Sequence, residues 1–334
     1  MGMAAFAGGL GAVALLCWRF GFENVGVAFA RMSPQYLVLY LGFGCLVRLG
    51  YGARWHLVAE ALGASRELWR LVAARLAGDA VGSLLPSGRV SGDPVRLALV
   101  YEEKAGGARA GAGVAADRVI EMISSILCGL AYVAVFASTH AFGSSRRTVW
   151  IWIGIMLLML AALAIPLAML RRGIRIAAPV DHFILRSRFA HLQGWVRAVR
   201  RTEDQLIRFL QFHPGTLVCG ILGSFCIEGL HILEYHFLLT TFGIDLDLPT
   251  LLLALVATGF AHVVPTPAGL GALEASEVSV LALAHGRPDV GFVVGVVIRL
   301  HETLWAVVGL AVLSAQGVLP ERWRLLASAN KVTV

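Results

Sequence analysis

The sequence predicts an all-α polytopic membrane protein, built as an inverted repeat of span, broken re-entrant hairpin and span, with two additional spans. Of 334 residues, 58% are hydrophobic and 15% charged, against about 45–50% and about a quarter in soluble globular chains. Mean hydropathy is +0.76. Apolar runs long enough to cross roughly 30 Å of hydrocarbon recur along the chain, and two further apolar stretches are interrupted by proline and glycine. The longest polar segment, Arg171 to about Phe212, is too short for a separate soluble enzyme domain, so chemistry is expected in or beside the membrane.

The first run, Met3 to about Trp18, has no Lys or Arg before it and no small-residue cleavage pattern after it, so it reads as an uncleaved membrane helix within an N-terminal region 1–33. Five more spans follow: Pro34 to about Ala53, Gly107 to about Ser138, Thr148 to Leu170, Pro214 to about Phe242 and Pro288 to about Ser314. Between them lie the interrupted stretches. Arg66 to Leu85 runs into Pro86-Ser87-Gly88-Arg89-Val90-Ser91-Gly92-Asp93-Pro94, then Val95 to Tyr101. Leu248 to Val264 runs into Pro265-Thr266-Pro267-Ala268-Gly269-Leu270-Gly271, then Ala272 to Ala284. Proline removes an amide donor and ends a helix, and such a break at membrane depth survives only where protein or a polar cavity covers it. At about 1.5 Å per residue, the piece after Pro94 reaches about half the bilayer, which favours a re-entrant hairpin.

The unit span, hairpin, span thus occurs twice, as 34–140 with its hairpin at 66–104 and as 214–316 with its hairpin at 248–285, offset by about 180 residues. Both copies carry R-x-x-E in the helix after the break, Arg118 with Glu121 and Arg299 with Glu302. One span and a basic amphipathic segment (141–213) separate them, and 317–334 forms a tail. The net charge of +7 comes largely from arginine, nine of them between Arg171 and Arg208 against Asp181, Glu203 and Asp204. By the positive-inside rule that segment, both termini and the tail are cytoplasmic, in a bacterial inner membrane. The odd number of intervening spans turns the second unit over, and inverted repeats with broken helices hold a binding site near the midplane in many transporters. Trp195, Val199, Leu206 and Leu210 lie among the arginines as on a helix resting on an anionic lipid surface. No basic patch on a soluble fold points to nucleic acid. Five cysteines in apolar runs, without CxxC, imply neither disulfides nor a thiol metal site.

The candidate site residues gather at the breaks. Asp93 before Pro94, and Thr266 before Pro267, read as capping residues that start a helix at each break. Two helix N-termini inside the protein favour an anion, and Arg89, Arg96, Arg118 and Arg299 offer a phosphate fork. Alternatively, Arg118 with Glu121 and Arg299 with Glu302 neutralise each other at i,i+3, or relay an ion or proton. Asp79, Glu274 and Glu277 are acidic counterparts, with Glu274 bracing the second hairpin. His262 precedes the second break, and Pro86, Gly92, Pro265, Pro267, Gly269 and Gly271 shape the two breaks. Glu228 and His231, with Glu234 and His236 nearby, have the E-x-x-H spacing of a di-iron helix, but no second copy occurs. These side chains are read as cavity lining or packing bonds, with a membrane-embedded, metal-dependent lipid-modifying enzyme as the alternative. No cofactor and no catalytic group is expected.

Gly78-Asp79, Leu85-Pro86, Gly92-Asp93 and Arg96 in one half, and Pro265-Thr266-Pro267-Ala268-Gly269-Leu270-Gly271-Ala272-Leu273-Glu274 in the other, carry a resemblance. From about residue 34 to 316 the chain resembles the flippase-like transmembrane domain of lysylphosphatidylglycerol synthases and their stand-alone relatives, which include hopanoid-associated membrane proteins. The resemblance implies movement of an amphipathic phospho- or glycolipid with an anionic or zwitterionic head group between leaflets. It does not extend to the aminoacyl-transfer domain of the full synthases, so no synthase activity is expected. Ser91-Gly92-Asp93 stands where paired glycines and a glutamate would be expected, which leaves the substrate open. A third class, a non-catalytic partner docking a lipid-modifying enzyme on its arginine-rich loop, fits the same sequence.

Overall fold

The computed structural model describes residues 32–64, 66–84, 91–101, 107–139, 146–176, 193–262 and 271–315. Among them are ten helices: α1 Pro34–Ala61, α2 Leu68–Leu84, α3 Asp93–Val100, α4 Gly107–Thr139, α5 Arg146–Arg171, α6 Gln193–Phe212, α7 Pro214–Thr241, α8 Leu248–Ala261, α9 Ala272–His285 and α10 Pro288–Ala315. No strand occurs among the described residues. α1, α4, α5, α7 and α10 are long and apolar enough to cross a membrane, which makes this an all-α polytopic membrane protein. They coincide with five of the six expected spans; the sixth, Met3 to about Trp18, lies outside the described residues.

The order α1 to α4 returns as α7 to α10, with starts at Pro34 and Pro214, Leu68 and Leu248, Asp93 and Ala272, and Gly107 and Pro288. α1 and α7 each start with a proline in the first turn, where its missing amide costs nothing. Each is followed by a glycine of positive φ, Gly63 and Gly243, after which an amide reaches back five residues, from Ala64 to Ala59 and from Ile244 to Leu239. That is the Schellman closure.

α1 and α7 run antiparallel. The Ser33 amide donates to the Thr241 carbonyl at 3.1 Å, Gly50 meets Ile227, and Arg54 reaches Ser224, so contacts descend one helix as they climb the other. The halves then exchange partners, α2 packing on α10 and α8 on α4. Small residues permit this closeness, as between membrane helices generally. A Cβ on Gly309 of α10 would stand 2.2 Å from the Leu76 carbonyl oxygen of α2. The largest apolar core joins α1, α7, α8, α9 and α10 through residues such as Tyr40, Leu238, Leu273 and Val294. α5 stands at the edge, with Leu157, Leu158 and Ile165 exposed.

α6 differs from expectation. Val196, Phe209 and Leu210 are buried and Leu206 partly so, and the last three pack with Ala112, Ala116 and Leu170 of α4 and α5. Val199, expected on the apolar face, is 48% exposed, and the side chain of Trp195 lies outside the described residues. At 3.6 residues per turn Val196, Val199, Leu206 and Leu210 share one side of the helix, and that side meets protein except at Val199. Glu203, on the same inner side, accepts the Ile176 amide at 2.5 Å.

Candidate functional site

Each half carries a network of charged side chains next to its break, buried in the first half and partly exposed in the second. In the first, Asp117 of α4 is fully buried and is the acceptor shared by three guanidinium groups from three other helices. Arg54 Nε reaches its Oδ1 at 2.8 Å, while Arg75 and Arg96 reach Oδ2 at 2.8 and 2.6 Å. Glu121, one turn on, accepts from Arg54 at 2.9 Å, Arg75 at 2.5 Å and Arg118 at 3.1 Å. Arg118 also grips Asp93 of α3 through Nε at 3.0 Å and Nη2 at 2.7 Å. Asp79 lies 3.5 Å from Arg75, its other carboxylate oxygen buried without a hydrogen-bond partner among the described residues. Four arginines thus face four carboxylates. Tyr51 and Trp55 of α1 add ring faces under Arg75 and Arg96 at 4.3 and 4.2 Å, which stabilises cations removed from water.

Asp93 was expected to cap α3, yet α3 starts at Asp93 itself, with Gly92 at the N-cap and no side-chain cap. The carboxylate goes to Arg118 and Arg96 instead, because a charge-assisted bond to a buried guanidinium outweighs one to a backbone amide. Gly92 is there for closeness: a Cβ would lie 2.0 Å from the Gly78 carbonyl oxygen, so α2 and α3 touch backbone to backbone at the mouth of the break.

The second network repeats the pattern with fewer charges. Arg299 of α10 lies 3.2 Å from Glu274 of α9 and 3.2 Å from Glu302. Glu274 also accepts the Gly271 amide at 2.9 Å, and so braces the hairpin as expected. Gly271 has φ +80°, a conformation other residues adopt only at a cost. It caps α9, which starts at Ala272. The Thr266 and Pro267 expected to start that helix lie outside the described residues, as do Pro86, Arg89, Pro265 and Gly269. His262 sits between two acceptors, the Thr258 carbonyl at 2.7 Å and Glu302 at 2.6 Å.

The three pairing residues stand 181 positions apart: Asp93 and Glu274, Arg118 and Arg299, Glu121 and Glu302. In both halves a carboxylate in the first turn of the post-break helix is tied to the R-x-x-E of the following span. The i,i+3 pairing alternative describes both motifs. Each guanidinium in addition reaches across to the hairpin.

The E-x-x-H residues part company. Glu228 faces Tyr132 and Cys128 of α4, whereas His231 turns to Tyr51 at 3.1 Å and lies 3.0 Å from Glu234. Glu234 lies 3.4 Å from His301, whose Nε2 accepts from the Trp305 indole at 2.6 Å. His236 instead meets the Phe237 ring. Glu228 and His231 therefore point to different neighbours, and among the described residues no three His, Cys, Asp or Glu gather at metal-binding distance. Sequence reasoning missed Arg54, Arg75, Asp117 and His301 altogether. Arg54 follows directly on the expected span and Arg75 lies within the interrupted stretch, but Asp117, next to Arg118 after a run of small apolar residues, was a legible signal.

The fold and its networks define a polytopic helical membrane protein with internally paired charge beside two interrupted apolar stretches, buried in the first half and partly exposed in the second. The family model of the lysylphosphatidylglycerol synthase TM region matches residues 2–330, and the chain belongs to that family. It is also 25% identical over 300 residues, 87% of this chain and 88% of the relative, to a UPF0104 membrane protein of Methanothermobacter thermautotrophicus. No solved structure matches the chain.

Proposed function

We propose that this protein is a lipid flippase, moving an amphipathic phospho- or glycolipid between leaflets without making or breaking a covalent bond. The two breaks form re-entrant hairpins entering from opposite faces of a bacterial inner membrane, both termini and the 171–212 segment are cytoplasmic, and the arginines of α6 face anionic lipid. The equivalence of Asp93-Arg118-Glu121 with Glu274-Arg299-Glu302, in helices whose first spans are antiparallel, supports an inverted repeat with a shared polar seat.

An ion pair at each break suits a zwitterionic head group. Its phosphate replaces the carboxylate on arginine while its amine replaces the arginine on the carboxylate, so no charge is left unpaired at membrane depth. Arg118, Arg96 and Arg299 then take the phosphate, with Asp93, Glu121, Glu274 and Glu302 as the exchanging acids. Asp79 and His262 line the approach. The tails stay in lipid throughout, and rocking one half on the other exposes the seat to each leaflet in turn.

The direct measurement uses purified protein in phosphatidylcholine vesicles carrying fluorescent phosphatidylethanolamine, phosphatidylglycerol or a glycolipid, with dithionite quenching of the outer leaflet. Wild-type protein is expected to move at least one of these, and Gly271→Val, which forces a β-branched residue to φ +80°, to move none while still folding. Failure of the wild type with every head-group class would overturn the proposal. Orientation has its own check. Single cysteines at Ser187 and Asp245 in a cysteine-free background should label from opposite sides of the membrane, and labelling from one side would end the inverted arrangement.

A further inference from the structure

The two networks hold different kinds of charge. The position 181 residues after Arg96 is Glu277, and both side chains are almost fully buried. Arg96 is fixed between Asp93 and Asp117. Glu277 has no ion-pair partner among the described residues. It has two hydroxyl neighbours instead, Tyr235 at 2.5 Å on Oε2 and Thr258 at 2.5 Å on Oε1.

The single hydroxyl hydrogen of Thr258 has two acceptors in reach, Glu277 and the Ala254 carbonyl at 2.9 Å. With Glu277 ionised, Thr258 and Tyr235 both donate to the carboxylate. With Glu277 protonated, the acid donates to Thr258, which turns its hydrogen to Ala254, while Tyr235 still donates to Oε2. Rotation of one hydroxyl thus serves both states and leaves no buried polar group orphaned. The same counting applies one turn further along α8: His262 lies between two acceptors, so either the ring carries two protons or Glu302 carries one. His262 and Glu302 are about a quarter exposed, at 23% and 26%, whereas Glu277 is fully buried.

We propose that Glu277 is a proton-binding site that couples lipid movement to the proton gradient; this rests on the flippase reading. Glu277 takes a proton from water on one side as the site opens there, becoming a neutral acid, and returns it to water on the other side as a carboxylate. Only the neutral form lets α9 slide past its neighbours, since a carboxylate leaving its two hydroxyl donors for hydrocarbon carries the full cost of an unpaired charge. The groups facing it are the phenols of Tyr40 on α1 and Tyr235 on α7, and the His262 imidazole at the end of α8. α10 passes the Glu277 backbone carbonyl at Gly291, its own charges Arg299 and Glu302 being engaged with Glu274 and His262.

Two measurements separate this site from the flippase reading. In detergent, infrared difference spectra of the wild type titrated with acid should show a protonated carboxylic C=O band that is missing in Glu277→Gln; no such difference band would overturn the proton site whether or not lipid moves. In vesicles of phosphatidylcholine and phosphatidylglycerol with fluorescent phosphatidylethanolamine, an imposed difference of about one pH unit, roughly a tenfold bias, should raise the wild-type rate severalfold and leave Glu277→Gln unresponsive. A wild-type rate indifferent to the gradient overturns the coupling and leaves the flippase intact. Glu277→Asp, which keeps the acid, should retain part of the response.

Discussion

Asp117→Ala is expected to cost about 3–5 kcal/mol of stability, the range for removing one partner of a buried ion pair. Arg54, Arg75 and Arg96 all direct a donor at this fully buried carboxylate, and Glu121 is already engaged by Arg54, Arg75 and Arg118. Three cations on α1, α2 and α3 would then repel one another where water does not reach, and the hairpin would lose its tie to α4. Asp117→Asn keeps the shape and one acceptor but no charge, so it should fall between the two. Denaturant or thermal melts in detergent read the difference directly. An alanine variant melting within about 1 kcal/mol of wild type, the usual scale of an ordinary substitution, would mean that the guanidinium groups find other acceptors and that Asp117 is not their hub.

The second large effect is expected at a residue with no side chain. A methyl group on Gly92 would stand 2.0 Å from the carbonyl oxygen and 2.6 Å from the carbonyl carbon of Gly78. Both are backbone atoms, so no rotamer change relieves the clash. Gly92→Ala should force α2 and α3 apart, drawing Asp93 and Arg96 out of register with Arg118 and Asp117, at about 3 kcal/mol or more and with loss of lipid movement. Gly223→Ala is the matched control: nothing lies within 4 Å of its added Cβ, and alanine in a helix is, if anything, more stable by up to about 1 kcal/mol. Similar melts for the two variants would show that the approach of α2 to α3 is not required.

The membrane spans, the interrupted helices and the repeated R-x-x-E were legible because each leaves a local mark: a long apolar run, a proline after a capping residue, two charges three positions apart. Helix bounds followed to within a few residues, except that α1 runs eight residues past the expected Ala53 to Ala61, and except where a tertiary contact overrode a local preference. Asp93 has the identity of a cap but serves Arg118, 25 positions on, and α9 starts at Ala272 because the Glu274 carboxylate and the positive φ of Gly271 fix the turn there. Arg54 and Arg75 could not be assigned from sequence, since their partner Asp117 is 63 and 42 positions away, and helical periodicity says nothing about which of two distant helices will be neighbours. Glu277 was visible as an acid in an apolar helix. Its lack of a cation among the described residues was not, because that depends on everything α9 packs against.

The exchange of partners between the halves, α2 with α10 and α8 with α4, also sets a timetable for biosynthesis. When α2 leaves the ribosome, the helix that will cover it is still about 200 residues from being made, roughly 10–40 s at cellular rates of elongation. During that interval the guanidinium group of Arg75 must already be in the bilayer or at its edge, and its carboxylate partners on α4 arrive long before α10 does. Early charge neutralisation within the first half therefore precedes, and permits, the late docking of the second. Neither half is a free-standing domain, and a chain interrupted after α5 would hold a neutralised but uncovered half bundle, a ready target for the membrane's proteases.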